Sequence, residues 1–235
     1  MGIAKHARAS VRIKGRNGLS STDGPERSQS TYDTNTATNA KSSQRRSPRF
    51  PGWAEDYERR ILGNGYSTPA VAAGLVGRYV VPEEGPIFDA GAGSGLMGMV
   101  LAPLGYKDLV GIDVSPDMLE LARSKDVYKD LREMELGGHL DFPDDAFAAV
   151  VSTGVFAAGH APPESFEELI RVTKSGGHMI FSVRTDVYVE GGFKDKQETL
   201  EREGKWQLVE MTGPFSHLRF EDPELKVRVF AYRVG

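Results

Sequence analysis

The sequence predicts an α/β fold: a doubly wound, mostly parallel sheet covered on both faces and closed by a C-terminal antiparallel strand pair. Three observations predict it. Short aliphatic runs alternate with amphipathic stretches between residues 87 and 183, the pattern of strand–helix–strand units in a parallel sheet. One of those runs leads into a glycine-rich loop that opens a helix, Asp89-Ala90-Gly91-Ala92-Gly93-Ser94-Gly95. The last two strand patterns have no long helix between them, which suits antiparallel pairing.

Each element has a local reason. Ile87-Phe88-Asp89 is an apolar run that enters the glycine loop, and Leu96 to Leu104 is a helix stopped by Gly105. Leu109 to Asp113 is a strand, and Ser115 caps a helix that carries Pro116 in its first turn, a favoured start. Phe147 to Ser152 is a buried strand. Glu164 to Thr173 is a helix closed by Lys174-Ser175-Gly176-Gly177, and His178 to Val183 is the next strand. Trp206 to Glu210 and Lys226 to Arg233 form the terminal pair.

Composition divides the chain. Residues 1–48 are rich in Ser, Thr, Asn, Gly, Lys and Arg, with Tyr32 as their only Phe, Trp or Tyr. Such a segment cannot bury enough apolar area to offset backbone ordering, at roughly 1–2 kcal/mol per residue. The expectation is a disordered basic tail over 1–48 and one folded domain over 49–235. Residues 1–50 hold 10 basic and 3 acidic side chains, against 19 and 30 in the remaining 185. The net charge of −4 therefore conceals a basic tail on an acidic body. Lys5, Arg8, Arg12, Lys14 and Arg16 all precede the first acid, Asp23. The tail reads as a solvated linker, a transit peptide or a weak polyanion-binding arm. The expected compartment is the cytoplasm, with organellar import as the alternative.

Several function classes are excluded. There is no Cys, so no disulfide scaffold, Cys-ligated zinc, iron–sulfur cluster or cysteine nucleophile. The histidines show no metal-ligand spacing, and no metal is expected. The longest apolar stretch, Val71 to Val81, is broken by Arg78 and is too short to span a bilayer. Residues 1–30 lack the apolar region of a secretory signal, and His6 stands where a myristoylation signal needs Ser or Thr. The acidic body disfavours nucleic-acid backbone as a partner. A monomer is the default expectation.

The glycine loop carries the chemistry. Its glycines allow a tight turn and let a ligand approach the backbone, and the helix it opens offers free N–H groups. Asp113 follows at the end of the next strand, where a carboxylate can accept both hydroxyls of a ribose. A nucleoside-containing cofactor over the first two strands fits both features. A dinucleotide fingerprint would need a third glycine where Leu96 stands, and a P-loop would need Gly-Lys-Ser/Thr. Asp89, two residues before Gly91, would repel a pyrophosphate and attract an ammonium. S-adenosylmethionine has ribose, adenine, an ammonium and a sulfonium, and no phosphate.

These residues resemble a known family. Asp89 to Gly95 is similar to the first motif of class I S-adenosylmethionine-dependent methyltransferases. Gly111-Ile112-Asp113-Val114-Ser115-Pro116-Asp117-Met118-Leu119 resembles their second motif, and Glu167 to Gly177 resembles the helix and turn before strand 5. Closer still, Trp53-Ala54-Glu55-Asp56-Tyr57 with Gly65-Tyr66, and Ser152 to Phe156 before Gly159-His160, resemble the methyltransferase-like proteins named for the Williams–Beuren syndrome chromosome region. The resemblance implies a Rossmann-like, seven-stranded sheet and S-adenosyl-L-methionine as cofactor. It implies that Gly91, Ala92, Gly93 and Gly95 line the methionine part, with Asp89 near its ammonium. It assigns Asp113 and Val114 to the ribose side, Met118 to the adenine and Glu135 to the adenine amine, while Thr153 and Gly154 face the methyl group.

Two further sets stay open. Trp53, Tyr57 and Tyr66 read either as a lid over the cofactor, with Tyr57 nearest the ligand, or as core packing, since Trp53 and Tyr57 share a helix face. His160, after strand 4, is the one candidate catalytic residue: a neutral imidazole able to take a proton, or a loop histidine bonded to backbone. The predicted function is methyl transfer to an unidentified small-molecule or protein acceptor, with Tyr188, Phe193 and Phe215 as candidate pocket linings. Two alternatives remain: a non-catalytic S-adenosylmethionine-binding partner subunit and a nicotinamide-dependent oxidoreductase.

Overall fold

The computed structural model describes residues 52–235; the tail expected over 1–48 lies outside the described residues. Helices α1 (Trp53–Gly63) and α2 (Thr68–Tyr79) precede β1 (Ile87–Ala90). Then follow α3 (Leu96–Leu101), β2 (Leu109–Asp113), α4 (Pro116–Ser124), β3 (Asp130–Glu133) and β4 (Phe147–Phe156). The second half is α5 (Ser165–Val172), β5 (Thr173–Arg184), α6 (Phe193–Arg202), β6 (Trp206–Met211), β7 (Phe215–Leu218) and β8 (Asp222–Val234).

The strands form one sheet in the order β3-β2-β1-β4-β5-β8-β6, with β7 added on β8. Pairs among β1 to β5 are parallel, and the three pairs made by β8 are antiparallel. The seven-stranded order matches the expected fold, and β7 is an eighth, short addition to it. Strand order reverses between β1 and β4, and the crevice outside the carboxyl ends of such strands is where open α/β sheets bind ligands.

Both faces are buried, so the central strands are apolar without alternation. Ile87, Val151 and Ile180 point to the α2/α3 side with Leu75, Val76 and Leu101. Phe88, Val150 and Phe181 point to the other side, with Phe166 and Leu169 of α5. That side is dominated by aromatic contacts: Phe156, Phe166, Phe181, Phe193, Trp206 and Tyr232 pack within 6.1 Å of neighbouring rings. Buried aromatic pairs of this kind add about 0.5–1.5 kcal/mol each beyond their burial.

Local signals explain the boundaries. Ser115 accepts the Met118 N–H and caps α4, with Pro116 at its start. The expected helix to Leu104 is α3 followed by a single 3-10 turn, Ala102–Leu104, and Gly105 ends it in the left-handed region. β4 runs four residues further than Ser152, to Phe156. The Lys174–Gly177 turn lies within β5, as an irregularity in its register with β4 between Thr173 and His178.

The turn after α1 is fastened to the turn between β7 and β8. The Phe220 N–H donates to the Asn64 carbonyl at 3.0 Å, Asn64 Nδ2 donates to Glu221 Oε2 at 2.7 Å, and Arg60 pairs with Glu221. Tyr66 bridges Leu218 in antiparallel fashion. Among the described residues, no helix is long and apolar enough to cross a membrane.

Candidate functional site

The glycine loop leaves β1 at the point where strand order reverses. The N–H groups of Gly91 and Ala92 both donate to the Ile112 carbonyl, at 3.0 and 2.8 Å, which ties the loop to β2. Its glycines have different reasons. Gly91 has φ +88°, and a Cβ there would stand 2.3 Å from a Val155 methyl, so close packing on β4 requires it. Gly93 has φ +54°, and a Cβ there would meet nothing within 4 Å. Here the backbone lies open. Gly95 is closed in by Ala122 and Tyr128.

Two carboxylates flank this open turn. Asp89 is 2% exposed. Its Oδ2 accepts the Tyr128 hydroxyl at 2.5 Å, and its Oδ1 is buried without a hydrogen-bond partner. Burial is the main force raising its carboxyl to about 7; the Tyr128 hydrogen bond opposes the rise and the Asp113 charge adds to it. Asp113 ends β2. Its Oδ2 accepts the Gly93 N–H and its Oδ1 the Ser115 N–H, both at 2.9 Å. Burial raises its carboxyl too, against the backbone N–H groups of Ser115, Gly93 and Val114 and the nearby His160. Each Asp113 oxygen receives one backbone bond and keeps lone pairs for further donors.

The remaining expected residues divide. Met134 N–H donates to the Asp113 carbonyl at 3.1 Å, which sets Glu135 just past the β3 end, exposed. Val114 is exposed, whereas Met118 is 5% exposed on the core face of α4. Trp53 and Tyr57 stack on one another with ring centroids 5.7 Å apart, and neither belongs to the two core clusters. The Tyr57 phenol is raised by burial first, with Arg60 opposing and Asp113 adding. Lys125 fastens this helix down: its Nζ donates to Glu58 Oε2 and to the Ser94 carbonyl, both at 2.7 Å. The three candidate pocket linings, Tyr188, Phe193 and Phe215, all make packing contacts. Phe193 is 3% exposed in the aromatic core, Tyr188 stacks on Phe230, and Phe215 packs on the opposite cluster.

Strand β4 supplies the other wall. The Gly154 N–H donates to Ser182 Oγ at 3.0 Å, fixing the strand end. Burial raises the Tyr66 phenol well above its ordinary value, with the Thr153 and Thr68 hydroxyls opposing the rise. His160 is exposed, with its backbone N–H on the Ala157 carbonyl at 3.2 Å. Desolvation lowers its ring, Arg184 lowers it further and Asp113 opposes. The net effect favours its neutral form.

Two residues were missed in the sequence. His217, on β7, meets Tyr66 edge-on at 5.1 Å and has Nδ1 3.4 Å from Thr68 Oγ1. Desolvation and Arg184 lower it, with Asp186 opposing. Nothing local marks it, because β7 is reached only by the chain's return across the sheet. Tyr128 lies between α4 and β3. Its signal was Gly98, a glycine inside a helix, which often marks close packing. Among the described residues, no cluster of His, Asp or Glu could hold a metal ion.

Comparison with known proteins agrees with this geometry. Residues 88–181 match a family described as a methyltransferase domain. Human methyltransferase-like protein 27 is 30% identical over 164 residues, covering 67% of this chain and 66% of that protein. A phosphatidylethanolamine N-methyltransferase of Cereibacter sphaeroides is 33% identical over 111 residues, covering 43% of this chain and 52% of that one. The chain thus spans between about half and two thirds of the length of these curated relatives. Among solved structures, a TehB-like S-adenosylmethionine-dependent methyltransferase of Corynebacterium glutamicum superposes with TM-score 0.54 at 19% identity, covering 79% of this chain and all of that one. A Mesorhizobium loti S-adenosylmethionine-dependent methyltransferase gives 0.51 at 19%, covering 69% and 97%. At such identities the structural likeness shows the fold. With the motif-bearing loop, the sheet order and the human relative, consistent with the Williams–Beuren resemblance, the chain belongs to the class I S-adenosylmethionine-dependent methyltransferase superfamily, with S-adenosylmethionine as its cofactor.

Proposed function

We propose that this protein transfers a methyl group from S-adenosylmethionine to a small-molecule or protein acceptor. The observation that carries the reading is Asp89 Oδ1, a buried carboxylate oxygen without a partner beside an open glycine backbone. A buried polar atom of this kind is costly unless a ligand satisfies it, and an ammonium is the matching donor. Asp89 would hold that ammonium, Asp113 the ribose hydroxyls and Glu135 the adenine amine. Gly93 leaves room for the methionine part, while Tyr57 covers the site from α1. A nicotinamide dinucleotide fits less well, because Asp89 opposes its pyrophosphate and Leu96 replaces the third glycine.

The cofactor brings an electrophilic methyl on a positively charged sulfur, already a good leaving group. The chain's task is then alignment, and holding donor and acceptor about 3–3.5 Å apart can supply roughly 7–11 kcal/mol of the barrier. The acceptor would enter beside Tyr66 and Thr153, with His160 and His217 available as neutral bases for a protic nucleophile. Of the proteins named above, only the Cereibacter sphaeroides one carries an acceptor in its name, so the acceptor is left as a class.

Calorimetry with S-adenosylhomocysteine, followed by a labelled-donor screen over small molecules and peptides, tests the reading. Binding plus label transfer is expected. Binding without transfer to any acceptor would favour the partner-subunit alternative, and no binding would end the donor-site assignment.

A further inference from the structure

We propose that Tyr128 is a positioning residue of the donor site: its hydroxyl clamps one oxygen of Asp89 and so presents the other to the cofactor's ammonium. The inference rests on the donor-site reading given above.

The clamp is built from three observations. First, the Tyr128 hydroxyl has both its functions engaged: it donates to Asp89 Oδ2 at 2.5 Å and accepts the Gly98 N–H at 3.0 Å. A hydroxyl bonded on both sides has one orientation. Second, the ring sits in a slot walled by glycines. A Cβ on Gly98 would lie 2.5 Å from the Tyr128 ring and 2.7 Å from its oxygen, and a Cβ on Gly95 or Gly111 would lie 3.2 Å from the ring. The Lys129 N–H, next in the chain, donates to the Leu109 carbonyl at 2.8 Å and fixes the backbone. Third, the clamp leaves Asp89 asymmetric, with Oδ2 held and Oδ1 buried and bare.

This arrangement has an electrical consequence. The ionisable groups facing Asp89 are Tyr128, Asp113 and Tyr66. Burial and Asp113 favour a neutral carboxyl, and the Tyr128 hydrogen bond alone among them favours the carboxylate. An ammonium needs the carboxylate. The hydroxyl therefore governs how much of Asp89 is ready for the cofactor near neutral pH.

The test is calorimetric titration of the full chain with S-adenosylhomocysteine, from about pH 5.5 to 8.5. Wild-type affinity is expected to rise with pH through a midpoint near about 7, and Asp89→Asn to bind weakly with no midpoint. Tyr128→Phe keeps the ring in its slot and removes only the hydroxyl. Its midpoint should move to higher pH, with affinity at pH 7 lowered on the order of tenfold and the deficit narrowing towards pH 8.5. Equal affinity in the two proteins overturns the proposal. So does a loss of the same size at every pH, which would make Tyr128 only a wall of the slot. Should Tyr128→Phe fail to fold by circular dichroism, the wild-type profile decides, and a flat one overturns the proposal. A wild type that binds at no pH would instead overturn the donor-site reading on which this rests.

Discussion

Asp89 and Glu168 are both partly or wholly withdrawn from water, and they titrate in opposite directions. Glu168, on α5, accepts from Arg171 Nη2 at 2.7 Å, from Arg171 Nε at 2.8 Å and from the Leu140 N–H at 2.9 Å. Arg171 also donates to the carbonyls of Leu140 and Phe142 and to Asp144. These bonds, Arg171 first, hold the Glu168 carboxyl down at about 2. Asp89 has one hydrogen bond and a bare oxygen, and is driven up to about 7. The first carboxylate has every partner it needs from its own chain, and it clips the segment between β3 and β4 onto α5. The second has one oxygen that its own chain leaves without a partner. Burial alone does not tell these two acids apart: Glu168 has three internal donors and Asp89 has one.

The comparison can be broken most forcefully at Asp89. Asp89→Asn should weaken S-adenosylhomocysteine binding by about 100-fold or more, since a charged hydrogen bond in a buried site is lost. The ligand-free variant should nonetheless melt higher than wild type at pH 8, because a buried, half-satisfied charge is gone. A lower melting temperature in the variant would contradict the reading. Next is Asp113→Ala, expected to cost about 10- to 30-fold in the same titration, and unchanged affinity would remove Asp113 from the site. On the structural side, Arg171→Met should lower unfolding free energy by about 1–2 kcal/mol in urea titration, an amount reduced for partial solvent screening.

Stability against pH sharpens the contrast. Glu168 has its carboxyl depressed from the ordinary 4.5 to about 2. Its contribution is present above about 4.5 and is lost as pH falls through about 2. Asp89 has its carboxyl raised from 3.8 to about 7. Its protonated form stabilises the ligand-free fold below about 3.8, and that stability is lost as pH rises through about 7. Thermal melts of Glu168→Gln should thus differ from wild type above pH 4.5 and converge in acid, while those of Asp89→Asn should part from wild type as pH rises from about 3.8 to about 7 and keep a constant offset above it. The smallest effect is expected at His160: His160→Gln should change S-adenosylhomocysteine affinity less than threefold, since its ring acts on Asp113 only across the crevice.

Much of this fold is written locally. β2 and the Ser115 cap of α4 occupy the residues that pattern and capping chemistry predict, because each depends on a few neighbours in sequence. Asp89, the glycine loop and Asp113 were legible for the same reason. α6 was not. Its buried stripe is Phe193, Gln197 and Leu200, and the polar Gln197 at its centre breaks the apolar signal. It is tolerated there because the Tyr188 and Tyr232 hydroxyls donate to its Oε1 at 3.3 and 3.1 Å. β7 is four half-buried residues that become a strand only by pairing with β8. His217 reaches Tyr66 by that long-range return, and no spacing rule encodes it.

The fastening between the α1–α2 turn and the Phe220–Glu221 turn joins two stretches about 160 residues apart along the chain. The glycine loop and both site aspartates have emerged from the ribosome long before Glu221 exists. During synthesis, then, the glycine loop and its two aspartates exist before the α1–α2 turn can be fastened. Phe220, in that late-made turn, is 72% exposed, which leaves the fastening open to a proteolytic nick that touches neither aspartate.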